Sequence, residues 1–187
     1  MDKLAAVNAA LMKCGLPLAA SLRDTDWGAS ERFDAVTDLL LRAHAWNFAT
    51  RYAVLTRQGA PEHGYAFAYA LPTDCLRVLD ARPGEDLRAP GARFSVVGTR
   101  LYCNCSPCNA RYVARVADPA LWPADFADAV TTRLAAEIAP LSAQSFGLGA
   151  SLLQLAQLSF QQAQATDAAE HGDRLPGGSP YVAVREG

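Results

Sequence analysis

Residues 64–79, GYAFAYALPTDCLRVL, decide how this chain is read. Tyr65, Phe67, Tyr69 and Leu71 fall on every second residue, with alanines between them. A period of two puts all four on one face of a strand and leaves a thin second face. Pro72 ends the strand because it has no N–H to give a sheet ladder. Pro72-Thr73-Asp74 then makes a tight turn, and Leu76, Val78 and Leu79 open a second apolar run. No catalytic group is needed to explain the segment. It reads as an aromatic strand and a corner against which other elements pack.

Further strand patterns surround it. In 49–57, Tyr52, Val54 and Thr56 face one way, and Arg51, Ala53, Leu55 and Arg57 the other. A third strand is expected over 76–82, then a loop over 83–91 with Pro and Gly at both ends. Residues 93–97 and 99–103 form a hairpin around Gly98, and 110–116 is another strand. Short strands at such close spacing predict one small antiparallel sheet or barrel.

Helical periodicity flanks this region on both sides. Leu4, Val7, Ala10, Leu11 and Cys14 make one apolar stripe, with Asp2 as N-cap and Gly15 then Pro17 as the stop. A second helix over 27–45 buries Phe33, Val36 and Leu40, with Asp24, Thr25 and Asp26 available as caps. On it, Asp38 and Arg42 form an i,i+4 pair worth roughly 0.2–0.5 kcal/mol. Trp46 and Phe48 plug the core where the chain turns into the strands. After Asp118-Pro119, a third helix repeats Phe126, Val130, Leu134 and Ile138 at steps of four. A looser segment with Gly147 and Gly149 precedes the last helix, 150–171. Pro176 to Pro180 is a spacer before a short tail.

The expected class is therefore α+β: mainly a four-helix bundle with an inserted small antiparallel β subdomain and an extended C-terminal tail. Residues 1–48 and 119–172 are the two parts of the bundle, 49–118 the β insertion and 173–187 the flexible tail. Neither helix pair is wide enough to make a core alone, so the second must return to the first.

Composition narrows the function. The 187 residues are 51% apolar and 19% charged, with a formal net charge of −2, which suits a soluble globular protein and argues against nucleic-acid binding through a basic surface. The carboxyl third is mildly acidic. No apolar run is long enough to span a membrane. The first fifteen residues read as an amphipathic helix and not as a signal peptide, so the five cysteines are expected as reduced thiols.

Cys103, Cys105 and Cys108 are the strongest candidate site. Three thiolates at one turn are zinc candidates, with Cys75 or His63 as a fourth ligand. The spacing lacks the paired C-x-x-C arms of zinc ribbons, and a reduced, partly exposed hairpin turn explains the same residues; the reading taken is no metal and no cofactor. His44, His63 and His171 lie in three different elements. There is no G-x-S-x-G, P-loop or G-x-G-x-x-G motif. An enzyme is not expected.

The last helix carries a different signal. Residues 142–166 contain no charge but six glutamines. A free surface helix carries Glu and Lys on its outer side, whereas an uncharged amide face suits a subunit contact. Gln154, Gln157, Gln161 and Gln164 are the interface candidates on the helix, and Tyr181 in the tail.

The chain resembles the tail tubular protein A family, the head-to-tail adaptors of short-tailed phages. The resemblance runs from Met1 to about Ala169. It rests on Asn8 with Cys14-Gly15-Leu16-Pro17, and on Leu40-x-x-x-His44-Ala45-Trp46-Asn47-Phe48-Ala49. It continues in Tyr65-x-x-x-Tyr69-Ala70-Leu71-Pro72-x-Asp74-Cys75-Leu76-Arg77-Val78-Leu79, in Tyr112-Val113-x-Arg115-Val116-x-Asp118-Pro119, and in Leu134-Ala135-x-Glu137-Ile138-Ala139. The family implies a homo-oligomeric, twelvefold ring between the portal protein and the tail nozzle or tube protein, with genomic DNA passing through the lumen. It implies a place in the virion, at the head–tail interface, after synthesis in the host cytoplasm, and it brings no catalytic residues. The cysteine cluster departs from the family pattern. A head-completion stopper, a tail terminator and a small cytosolic zinc-binding module are the alternatives.

Overall fold

The computed structural model describes residues 1–61, 64–84, 90–142 and 146–170. Over these residues the chain is a mixed α+β protein with four α-helices and two antiparallel three-stranded sheets. The tail expected over 173–187 lies outside the described residues.

Helix α1, Lys3–Lys13, starts as its sequence requires. Asp2 Oδ1 accepts from the Ala5 N–H at 2.7 Å, and Gly15 leaves the helix with φ +70°. The Asn8 side chain then holds the outgoing chain, donating to Ala19 O at 3.0 Å and accepting from Ala19 N at 2.9 Å. Helix α2, Ala29–Ala43, begins later than the apolar pattern suggests. Trp27 and Gly28 both adopt left-handed conformations, and Gly28 is the N-cap with no side-chain cap bond. The Trp27 indole packs against the core from that turn, so its burial does not require a place on the helical stripe.

Helix α3, Ala124–Ile138, is the centre of the helical region: α1, α2 and the last helix, α4 (Phe146–Glu170), all pack on it. Phe126, Val130, Leu134 and Ile138 are fully buried, as their four-residue step dictates. Phe126 is also the hub of an aromatic cluster. Trp46 meets it edge-on at 4.8 Å, Trp122 edge-on at 5.2 Å and Phe48 at 5.0 Å between centroids. Phe160 from the last helix reaches Trp46 at 5.8 Å, and Phe33 stacks on Trp122 at 5.7 Å. Such geometries add to the area buried.

Helix α4, Phe146–Glu170, starts before residue 150 and contains both glycines that suggested a looser segment. At Gly149 an added Cβ would lie 2.8 Å from Pro140 Cγ. Glycine is there to let α4 approach the end of α3, and the helix tolerates its poor propensity of about 1 kcal/mol.

The β region makes two sheets, where the strand spacing suggested one. In the first, β6 (Cys108–Ala114) is central, between β1 (Thr50–Val54) and β3 (Cys75–Pro83). Thr50 pairs with Val113 and Val54 with Asn109, while β3 carries irregular register near Leu76 and Leu79. In the second, β5 (Arg100–Cys103) is central, between β2 (Phe67–Ala70) and β4 (Phe94–Val97). Both Phe67 and Phe94 pair with Cys103. Ala68 and Tyr69 are both buried, so the alanine face of the opening strand is covered as well. Val113 and Val116 of the first sheet region join the helical core, whereas Leu55, Tyr69, Ala81, Leu101, Cys103, Cys108 and Ala110 form a second core between the strands.

The expected Asp38–Arg42 pair is replaced by longer-range contacts. Asp38 accepts from Arg115 Nε at 2.8 Å, and Arg42 donates to the Leu76 carbonyl. Arg115 meets Asp38 through both Nε and Nη2, and the Leu76 carbonyl belongs to a strand, so each outcompetes a single exposed i,i+4 pair.

Candidate functional site

The corner 44–49 is organised by Asp167, a buried carboxylate on α4. Asp167 Oδ1 accepts from the Asn47 N–H at 2.8 Å, and Oδ2 lies 3.1 Å from His44 Nε2. The Asn47 side-chain amide donates to the Asp167 carbonyl at 2.7 Å. The Trp46 indole N–H donates to Leu40 O at 2.9 Å, and Thr50 Oγ1 donates to Trp46 O at 2.6 Å. His44 therefore shares in a structural knot, which accounts for the His-Ala-Trp-Asn-Phe-Ala run without chemistry. Asp74 plays the equivalent part after Pro72. It accepts from Arg51 Nη1 at 2.8 Å and from the Tyr112 hydroxyl at 3.2 Å, and its carbonyl accepts from Arg115 N at 2.7 Å.

Among the described residues, one group of three possible metal-ligating side chains has its donor atoms drawn together: Cys103, Cys105 and Cys108, whose sulfurs all lie within 4.8 Å of one another. Cys103 Sγ and Cys105 Sγ are 3.3 Å apart. Cys103 ends the central strand of one sheet, Cys108 begins the central strand of the other, and the turn 104–107 joins them. That turn is held from several sides. Ala66 N donates to Asn104 Oδ1, the Tyr69 hydroxyl to Cys105 O, and Gly84 N to Pro107 O, at 2.8, 2.8 and 2.9 Å. Leu55 N donates to Cys108 O at 2.8 Å. Burial, followed by the neighbouring Cys103 sulfur, pushes the Cys105 thiol up to about 11, and burial followed by the charge of Cys103 raises Cys108 further. At neutral pH these are protonated thiols and weak nucleophiles. Cys75 lies on β3 outside the group, and His63 lies outside the described residues.

Four of the five interface candidates fall on α4. Gln154, Gln157 and Gln161 are exposed and Gln164 is half-buried, while Tyr181 lies outside the described residues. Leu155 and Leu158 are 49% and 63% exposed, and Leu153 is exposed beside them. The inner side of α4 is narrow: Gly149, Leu152, Ala156, Ala163 and Asp167. The uncharged glutamines, with Leu155 and Leu158 among them, point to this helix from sequence; Leu153 is the exposed leucine that the pattern does not single out. Among the described residues no helix is long and apolar enough to cross a membrane.

No family model matches the chain, and no curated protein matches it.

Proposed function

We propose that this chain is a structural virion protein, a head-to-tail adaptor that closes into a ring between portal and tail nozzle and lets DNA pass through its lumen. Its architecture is read as a four-helix bundle with an inserted β region and a partner-seeking tail. The observation that carries the proposal is the outer face of α4, where Leu153, Leu155 and Leu158 stand exposed among Gln154, Gln157 and Gln161 without a charge. Charges are depleted at the centre of protein interfaces, and leucine exposed to this degree gains from being covered. The occupant is a second copy. A shallow apolar groove lined by Met1, Ala9, Trp122, Ala127 and Thr131, with the Lys13–Asp128 ion pair at its edge, shares no residue with the α4 face. Two different faces meeting copy after copy is the heterologous contact from which rings close, twelvefold by the resemblance.

Sedimentation of the purified chain, alone and with purified portal protein, tests this. The wild type assembles into a ring alone or on the portal, and Leu155→Glu with Leu158→Glu abolishes assembly while leaving the monomer's thermal melt unchanged. A wild type that stays monomeric and ignores the portal overturns the proposal. The tail is assigned to the portal contact, and unchanged portal binding after deletion of residues 180–187 would remove that assignment.

A further inference from the structure

We infer that Cys103, Cys105 and Cys108 form a thiolate site for a soft divalent cation, zinc in the first instance, set at the joint between the two sheets. The sequence spacing argued against a metal because it lacks a second C-x-x-C arm. The structure supplies the convergence that spacing could not show, with all three sulfurs inside 4.8 Å. Sulfurs around a tetrahedral zinc, with Zn–S bonds of about 2.3 Å, stand about 3.8 Å apart, so shifts of a fraction of an ångström suffice to admit the ion. The backbone already holds the ligands in place. Cys103 is paired on both sides, to Phe67 and to Phe94, and Cys108 is paired to Pro83 while its carbonyl receives the Leu55 N–H. The turn between them is tied down through Asn104, Cys105 and Pro107. Cys103 and Cys108 are fully buried and Cys105 is half-buried, and a water as fourth ligand would complete the tetrahedron.

Binding replaces three S–H protons by one divalent ion. Three protons leave for solvent, no electron is transferred, and the site carries one net negative charge. Its effect is mechanical. The ion connects the end of β5 to the start of β6, the central strands of the two sheets, and so fixes the angle between them.

The test is titration of the reduced, metal-free chain with Co2+ and then Zn2+. The expected result is one Co2+ per chain with the visible bands and sulfur-to-metal charge transfer of a tetrahedral thiolate site, displaced by one equivalent of Zn2+. Cys105→Ser, at the half-buried position, weakens binding at least tenfold, while Cys75→Ser and Cys14→Ser do not. Binding to the wild type needs no variant to fold, so loss of a variant to misfolding leaves the test intact. Absence of a stoichiometric thiolate spectrum in the wild type overturns the inference, as does equal binding by Cys105→Ser. A Cys103–Cys105 disulfide that forms in air in preference to metal uptake also overturns it.

Discussion

Asn47 and Asp167, separated by 120 residues, are joined by two hydrogen bonds of 2.8 and 2.7 Å, one to the carboxylate and one to the carbonyl. The first satisfies a backbone N–H at the corner where α2 gives way to β1. The second ties the side chain of that corner to the α4 backbone. The end of the last helix is thus fastened to the end of the second through a buried acid.

Asp167→Ala should cost about 1–3 kcal/mol, because it removes the acceptor of the Asn47 N–H and the partner of the His44 ring nitrogen at a half-buried corner. Asp167→Asn should cost less than half as much, since its amide can still accept from Asn47 and donate to His44. Urea unfolding curves for the two variants measure the difference; equal losses would mean that charge and not hydrogen bonding matters here.

Trp46→Ala should cost about 3–5 kcal/mol. The indole is 1% exposed, touches Phe126, Phe160, Phe48 and His44, and gives its N–H to Leu40 O. Trp46→Phe keeps ring contacts but leaves the Leu40 carbonyl without this donor, so it should lie between alanine and wild type. Thermal melts followed by near-ultraviolet circular dichroism read both stability and the aromatic cluster.

Gly149→Ala should destabilise by about 1 kcal/mol even though alanine is the better helix former. The new methyl group meets Pro140 Cγ at 2.8 Å and Cδ at 3.1 Å, and a proline ring has little room to yield. A rise in melting temperature would show that α4 does not depend on that close approach.

Stability should fall as pH climbs above about 9. The Cys14 thiol is buried, donates to Ala135 O at 3.3 Å, and holds its proton above the ordinary value of 9.0 because of that burial. In the alkaline range the unfolded chain has released this proton while the folded chain keeps it, so ΔG of unfolding decreases with pH until the folded thiol also ionises. Cys75, raised chiefly by burial and then by Asp74, acts in the same direction. Cys14→Ser can keep the bond to Ala135 without titrating there, and its unfolding free energy should therefore drop less between neutral and alkaline buffer.

Helices α1 and α3 are legible because each carries its own periodicity: the four-residue step from Phe126 to Ile138 is fully buried, and of the first stripe Val7, Ala10, Leu11 and Cys14 are buried while Leu4 is half-buried. Boundaries depart from the local pattern where a residue serves a distant neighbour. Gly149 looks like a loop residue until Pro140 is placed against it, and Trp27 looks helical until its left-handed turn is seen. Two sheets could not be told from one, since pairing joins strands far apart in the chain, as with Thr50 and Val113. The cysteines could be named from sequence, but their convergence depends on how β5 and β6 meet. Asp167 gave no signal, being a single acid near a helix end.

The β region leaves the helical core and returns to it at one place. Ala114 N donates to Ala49 O at 2.8 Å, and the Trp46 and Trp122 indoles fix the backbone on either side of that pair. Departing and returning strands are therefore next-door neighbours, like the two contacts of a plug. Apart from Leu76, Leu79 and Val113, which pack against the helical core, the strands are a cassette whose far ends can be lengthened or trimmed while α2 continues to meet α3 in the same way.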